Sequence, residues 1–341
     1  MALAFMFGDW AGCARWAIPR PIVGLMIFGP LASLSAVHLA VYQARPWALL
    51  ALCAIPAGGA FVLRRPRLTA AAIVAGSLVL MVGYAGTGYA DQTDLGRAAL
   101  AAILRGETPY QVQDLGSHSN PFAYGPLAML TAQIGPWLEL VSAVLLLSVL
   151  AWARAWITLG LVAAFPPFVN LALSGINDYT PALLIVSGLL LVRSRPMLGG
   201  VVLGVAGAIK PYAAAWWLLS PWALTGILWW VPVAPYLQDF AAMTMRVSTY
   251  TGTPLKWLAI PTWLVGWRMR EWQASTLLGA VVFAAVMLFG NWSSLGYWIV
   301  VLPVMGLAFE SVAHTTQSRT NPLTWVSPGP NPALATVKVA D

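Results

Sequence analysis

The sequence predicts an all-α, polytopic membrane protein with about ten to twelve transmembrane helices. Three observations carry this expectation. Of the 341 residues, 60% are hydrophobic and 9% charged, too few charges for a soluble domain of this length. Apolar runs of about 18 or more residues, the length that crosses the hydrocarbon core, recur along most of the chain. Arginines stand in short clusters between those runs, and such clusters mark the cytoplasmic side. The net charge of +7 therefore reads as topology, and no nucleic-acid partner is expected.

The elements follow in order. Apolar runs at 22–42 and 46–63 form the first two spans, and Arg64, Arg65 and Arg67 close the second on the cytoplasmic side. Arg15 and Arg20 then place residues 1–21 in the cytoplasm. No basic start followed by an apolar core is found there, so insertion is expected to use the first span itself. A third span at 68–88 leads outward to a long semi-polar loop, 89–125. That loop holds Asp91, Asp94, Glu107 and Asp114, four of the chain's eleven acids. Leu95, Ala98, Ala99, Ala102 and Ile103 have the spacing of a short amphipathic helix lying in the interface.

Apolar sequence resumes at 126–152, interrupted by Gly135-Pro136, which predicts a short helix followed by a span. Arg154 lies inside. The run 157–174 returns outward to Gly175-Ile176-Asn177-Asp178, and 180–192 goes back to Arg193 and Arg195. The runs 197–209 and 212–222 are both short and meet at Lys210-Pro211, which predicts a broken or dipping pair. Residues 224–237 lead to a second semi-polar loop at 239–256. After a further span, Arg268 and Arg270 mark the inside, and runs at 277–290 and 296–309 complete a transmembrane domain of 22–311. The tail, 312–341, is expected to be cytoplasmic. From Thr315 it is rich in Pro, Asn, Ser and Thr, the composition of disorder. Tryptophans at 47, 137, 152, 156, 222, 267 and 292 fall near span ends, whereas Trp229 and Trp230 fall mid-span and conflict with that boundary.

Cys13 and Cys53 form no CxxC or Cys/His set, so neither a metal site nor a cofactor is expected. Arginine outnumbers lysine 15 to 3, a codon signature of a GC-rich bacterial genome. The expected location is therefore a bacterial inner membrane.

A charge at membrane depth costs about 2.5–3.5 kcal/mol, so those away from the cytoplasmic clusters need a reason. On the topology above, Asp91 with Asp94, Asn177 with Asp178, and Lys210 all face the outer side. They come from three parts of the chain, and their convergence defines a candidate site. Each also has an ordinary reading. Asp91 N-caps the following helix and Asp94 favours its dipole. Asn177 and Asp178 are turn residues. Lys210 snorkels to the interface. His118 lies solvated in the outer loop.

One segment is more specific. Asp94-Leu95, then Leu104-Arg105-Gly106-Glu107-Thr108-Pro109-Tyr110, then Phe122-Ala123-Tyr124-Gly125-Pro126-Leu127 resembles the first outer loop of GT-C glycosyltransferases. The likeness is to the polyprenol-phosphate-mannose-dependent α-mannosyltransferases, glycosyltransferase family 87. Gly175-Ile176-Asn177-Asp178-Tyr179 is similar to that family's Gly-Gln-Asn-Asp turn, with Ile176 in place of Gln. The Gly-rich run from Gly199 to Lys210-Pro211 resembles its Lys-Pro-ended span. Ala98 stands where the family carries Tyr, and the acid's spacing falls between those of Asp91 and Asp94, which leaves the equivalent acid open.

The resemblance implies a GT-C fold and an inverting hexosyltransferase. Such an enzyme moves a sugar, mannose in this family, from a polyprenyl-phosphate-linked donor to a hydroxyl of a glycolipid or glycan acceptor on the extracytoplasmic face. It implies Asp94 or Asp91 as the catalytic base. Lys210 would lie near the leaving phosphate, and Asn177, Asp178, Tyr110, Tyr124 and His118 around the substrates, with membrane lipids as surroundings. Broken helices with charges also mark secondary transporters, and a catalytically inactive homologue is a third reading.

Overall fold

The computed structural model describes residues 66–83, 92–112, 122–165, 168, 171–172, 176–249, 260, 263–264, 271–289 and 297–320. Among these residues the chain is helical and holds no strand, as the all-α expectation requires. The first two expected spans, Asp91, His118 and the span and arginines at 257–270, apart from 260 and 263–264, lie outside the described residues.

The helices follow the sequence reading closely. Helix α1, Pro66–Gly83, covers most of the third expected span. Helix α2, Gln92–Leu104, is the amphipathic helix of the outer loop; it buries Leu95, Gly96, Ala99 and Ala102 and leaves Ala98 exposed. It ends in a Schellman motif: Glu107 N–H bonds Ala102 O and Gly106 N–H bonds Ile103 O, both 2.9 Å, with Gly106 at φ +77°. Only glycine takes that left-handed position without strain.

The interruption at Gly135-Pro136 divides α3, Pro126–Ile134, from α4, Pro136–Trp152, at 98°. Gly135 turns the corner at φ +82°, and Pro136 opens the new helix at a position that needs no N–H. Next come α5, Trp156–Ala164; α6, Tyr179–Val192; and α7, Pro196–Ile209.

After Lys210 the chain continues in two 3-10 helices, Pro211–Leu219 and Pro221–Tyr236, the second with Pro232 and Pro235 inside it. The tighter helix rises about 2 Å per residue, so nine residues cover roughly 18 Å, against about 21 Å for the fourteen of α7. The return therefore reaches the end where α7 began, and Ser220 Oγ donates to Pro196 O at 2.9 Å. The helix thus ends at Lys210-Pro211 and the chain turns back there, within the expected broken or dipping pair.

Two expectations are corrected. Residues 239–256, read as a loop, begin as helix α8, Leu237–Thr249. Phe240 and Met243, three apart, give it a buried face that its polar composition hides; Phe240 packs on Tyr110 and Trp230. The last two helices are α9, Trp272–Phe289, and α10, Trp298–Thr320. Helix α10 continues past Thr315 to Thr320, where the composition of the tail predicts disorder.

Helix α7 is the hub. A Cβ on Gly199 would come within 2.3 Å of Val192 N in α6. One on Gly226 would meet Gly204 O at 2.4 Å, so α7 and the second 3-10 helix touch backbone to backbone. Small residues permit this approach where hydrophobicity alone cannot select a face. Indole N–H groups tie the pieces together. Trp217 donates to Leu203 O, Trp216 to Thr276 O and Trp272 to Leu189 O, at 3.0, 3.1 and 2.9 Å.

The elements run up and down between two ends. At one end lie Arg67, stacked on Trp156, Arg154, and Arg193 on Trp272 with Arg195 beside it. Glu310 of α10 reaches the same end, where it accepts from the amides of Ile157 and Thr158. The starts of α2, α4 and α6, the end of α7 and the start of α10 lie at the other. Among the described residues no single helix is long and apolar enough to cross a membrane; the bent pair α3–α4 passes by length and composition together.

Candidate functional site

The end opposite Arg67, Arg154, Arg193 and Arg195 gathers polar groups from six stretches of the chain. Asp178 lies just before α6 and Lys210 just after α7, and α6 and α7 pack side by side. Their side chains meet: Lys210 Nζ lies 2.5 Å from Asp178 Oδ1, and both residues are 2% exposed. Tyr212 OH donates to the same carboxylate oxygen at 3.0 Å. The ammonium is enclosed by the rings of Tyr124, Tyr212 and Tyr297 at 5.0, 5.6 and 5.7 Å, each offering its negative face.

Residues 122–126 dock onto this pair. Gly125 N–H donates to Ile209 O at 2.9 Å, and a Cβ on Gly125 would lie 2.2 Å from Ala208 O. The Tyr124-Gly125-Pro126 string is thus the chain's route across the end of α7: Tyr124 covers Lys210, Gly125 makes the contact and Pro126 starts α3. The Asn177 amide donates to Gln92 Oε1 at 2.7 Å, which holds the first turn of α2 against the Asn177-Asp178 turn.

Asp94 occupies that first turn. It is exposed and lies 3.8 Å from Arg97, one turn on, a position that suits the dipole reading of Asp94. The expected convergence of Asp94, Asn177, Asp178 and Lys210 on one end is found among the described residues.

Two residues differ from their expected setting. Lys210 is buried where it was expected to snorkel or to meet a phosphate, and its charge is already matched by Asp178. Tyr110 is fully buried against Phe122, Phe240 and the cluster around α8, with ring centroids at 6.0 and 5.0 Å to the first two. Among the described residues its hydroxyl has no hydrogen-bond partner, as is also true of Thr108 Oγ1 and Asn177 Oδ1. Burial pushes the Tyr110 hydroxyl well above its ordinary range of ionisation. At the exposed end of α2, the hydrogen bond from Arg105 holds the Glu107 carboxyl below its usual range.

Sequence reasoning missed four participants: Gln92, Glu139, Tyr212 and Tyr297. Glu139 carried a signal, an ionisable group inside an apolar run. It is buried, and its Oε2 accepts from the amides of Tyr179 and Thr180, both at 3.0 Å. Tyr212 carried a weaker one, two residues beyond Lys210. Tyr297 arrives from α10, more than eighty residues downstream, and nothing local marks it.

No protein-family model, curated protein or solved structure matches the chain.

Proposed function

We propose that the protein is a polytopic glycosyltransferase of a bacterial inner membrane. It moves a sugar, mannose by the resemblance of its outer loop, from a polyprenyl-phosphate donor to a lipid or glycan hydroxyl on the extracytoplasmic face. One observation supports this reading above the others: the acid-bearing start of α2 is held by Gln92 against a turn that is itself anchored by the buried Asp178–Lys210 pair. Transfer needs a carboxylate at a fixed position. With a pKa near 4, such a group takes a hydroxyl proton only as the new bond forms. Asp94 or Asp91 fills that role. Arg97, half exposed beside Asp94, is a cation on the same helix that can meet a lipid phosphate. Lys210 serves the phosphate only if its pair with Asp178 opens; paired, it fixes the site's geometry.

The membrane setting rests on surface chemistry. Trp222, Leu224, Ile227, Leu228, Trp229 and Val231 are exposed along the second 3-10 helix, a density of apolar side chains that water disfavours and lipid accepts. Helices of about 21 Å fall short of a core of about 30 Å. Short and broken helices are tolerated at membrane depth where protein or a cavity surrounds them.

The test is sugar transfer from polyprenyl-phosphate sugar in membranes carrying Asp91→Asn, Asp94→Asn or Lys210→Ala. Loss of the base should cost about a hundredfold or more; full activity in all three variants would overturn the assignment. A secondary transporter is the second reading, favoured by a buried ion pair among broken helices. Uptake in proteoliposomes without sugar transfer selects it.

A further inference from the structure

Asp178 stands at the N-cap position of α6, where an aspartate ordinarily accepts from amides of the first turn. Its side chain makes no such bond; Oδ1 is taken by Lys210 and Tyr212. The orphan amides are instead served from another helix. Glu139, in the first turn of α4, accepts from the Tyr179 and Thr180 amides through Oε2 and from Thr180 Oγ1 through Oε1 at 2.7 Å. Ser142, one turn further along α4, shares a hydrogen bond with Thr180 Oγ1 at 2.9 Å.

We propose that Glu139 is a positioning residue: it caps α6 from α4 and so leaves the Asp178 carboxylate free to hold Lys210. Asp178 meets Lys210 and Tyr212 through the one oxygen, Oδ1, and in that orientation makes no bond to the amides of its own helix. Without Glu139, Asp178 is the nearest carboxylate that can satisfy the amides, and turning to them releases Lys210. The Gly135 bend, four residues before Glu139, thereby sets the geometry of the Asp178–Lys210 pair. The catalytic meaning of this arrangement rests on the glycosyltransferase reading; the division of labour between the two acids does not.

Glutamine separates geometry from charge. Its amide oxygen can accept from both backbone amides while its NH2 donates to Thr180 Oγ1, which donates on to Ser142. Methionine fills the volume and offers no comparable acceptor. The full chain in detergent is treated with an amine-reactive reagent. Modification of Lys210, one of only three lysines with Lys256 and Lys338, is followed by peptide mass spectrometry.

Lys210 of Glu139→Gln should label within about twofold of wild type, and that of Glu139→Met about tenfold faster, the population change produced by losing one helix cap. Wild-type protection in Glu139→Met overturns the proposal. So does fast labelling in Glu139→Gln, which would make charge the essential property; that arm decides alone if Glu139→Met does not accumulate folded. If labelling follows expectation while wild type transfers no sugar, the positioning role stands and the glycosyltransferase reading falls.

Discussion

Asp178→Asn removes the charge that matches Lys210 in a setting where both residues are 2% exposed and the separation is 2.5 Å. Leaving one member of a buried pair uncompensated costs about 3–5 kcal/mol. Two features of this site moderate it. The asparagine oxygen can still accept from Nζ, and the rings of Tyr124, Tyr212 and Tyr297 each favour the retained cation. The expected loss is therefore near the lower bound, about 3 kcal/mol. Lys210→Met is expected to cost a similar amount, since among the described residues only the Tyr212 hydroxyl then donates to the Asp178 side chain. The double variant removes both charges and should cost no more than either single variant, about 3 kcal/mol, giving a coupling of about 3 kcal/mol. Denaturant unfolding in mild detergent, read by tryptophan fluorescence, measures all four corners of the cycle. Single losses that add to within about 0.5 kcal/mol would refute the pair as a coupled unit.

Further outcomes follow from other contacts. Gly125→Ala sets a methyl 2.2 Å from Ala208 O, a backbone atom that cannot rotate away; it should cost about 2 kcal/mol or more and speed Lys210 labelling. Glu310→Ala removes the acceptor of the Ile157 and Thr158 amides and should lower stability by about 1–2 kcal/mol in the same unfolding assay. Tyr110→Phe deletes a buried hydroxyl that has no partner among the described residues and should raise stability, by about 1 kcal/mol. Leu228, 68% exposed, tests the membrane reading. Leu228→Arg should oppose insertion by about 2.5–3.5 kcal/mol if that face meets lipid, measured as membrane-integrated yield, and should be silent if it meets water.

Much of the chain's path was legible. Gly135-Pro136 announced a corner because glycine takes a positive φ and proline needs no donor. Lys210-Pro211 announced a helix end because proline cannot continue the ladder of α7. The arginine clusters sorted the turns into two groups, and Arg67, Arg154, Arg193 and Arg195 do share one end, because a charge is costly midway along an apolar helix. Helix α8 was hidden, since Gln238, Asp239 and Thr244 read as loop until Phe240 and Met243 have something to pack against.

Partners within the site were not legible. Helices α6 and α7 are apolar nearly all round, so no hydrophobic stripe says which face turns inward. Their rotation is set by where Gly188, Gly199 and Gly204 permit close approach, and only that rotation brings Asp178 to Lys210 across thirty-two residues of sequence. The same holds for Glu139: a carboxylate in an apolar run signals a buried partner without naming it, and the orphan amides of α6 become that partner only once α4 lies alongside. The sequence by itself determined the helices, their breaks and the grouping of their polar ends, because these depend on local chain chemistry. The tertiary structure decided which acid holds the lysine and which caps the helix, because that choice depends on how apolar helices rotate against one another.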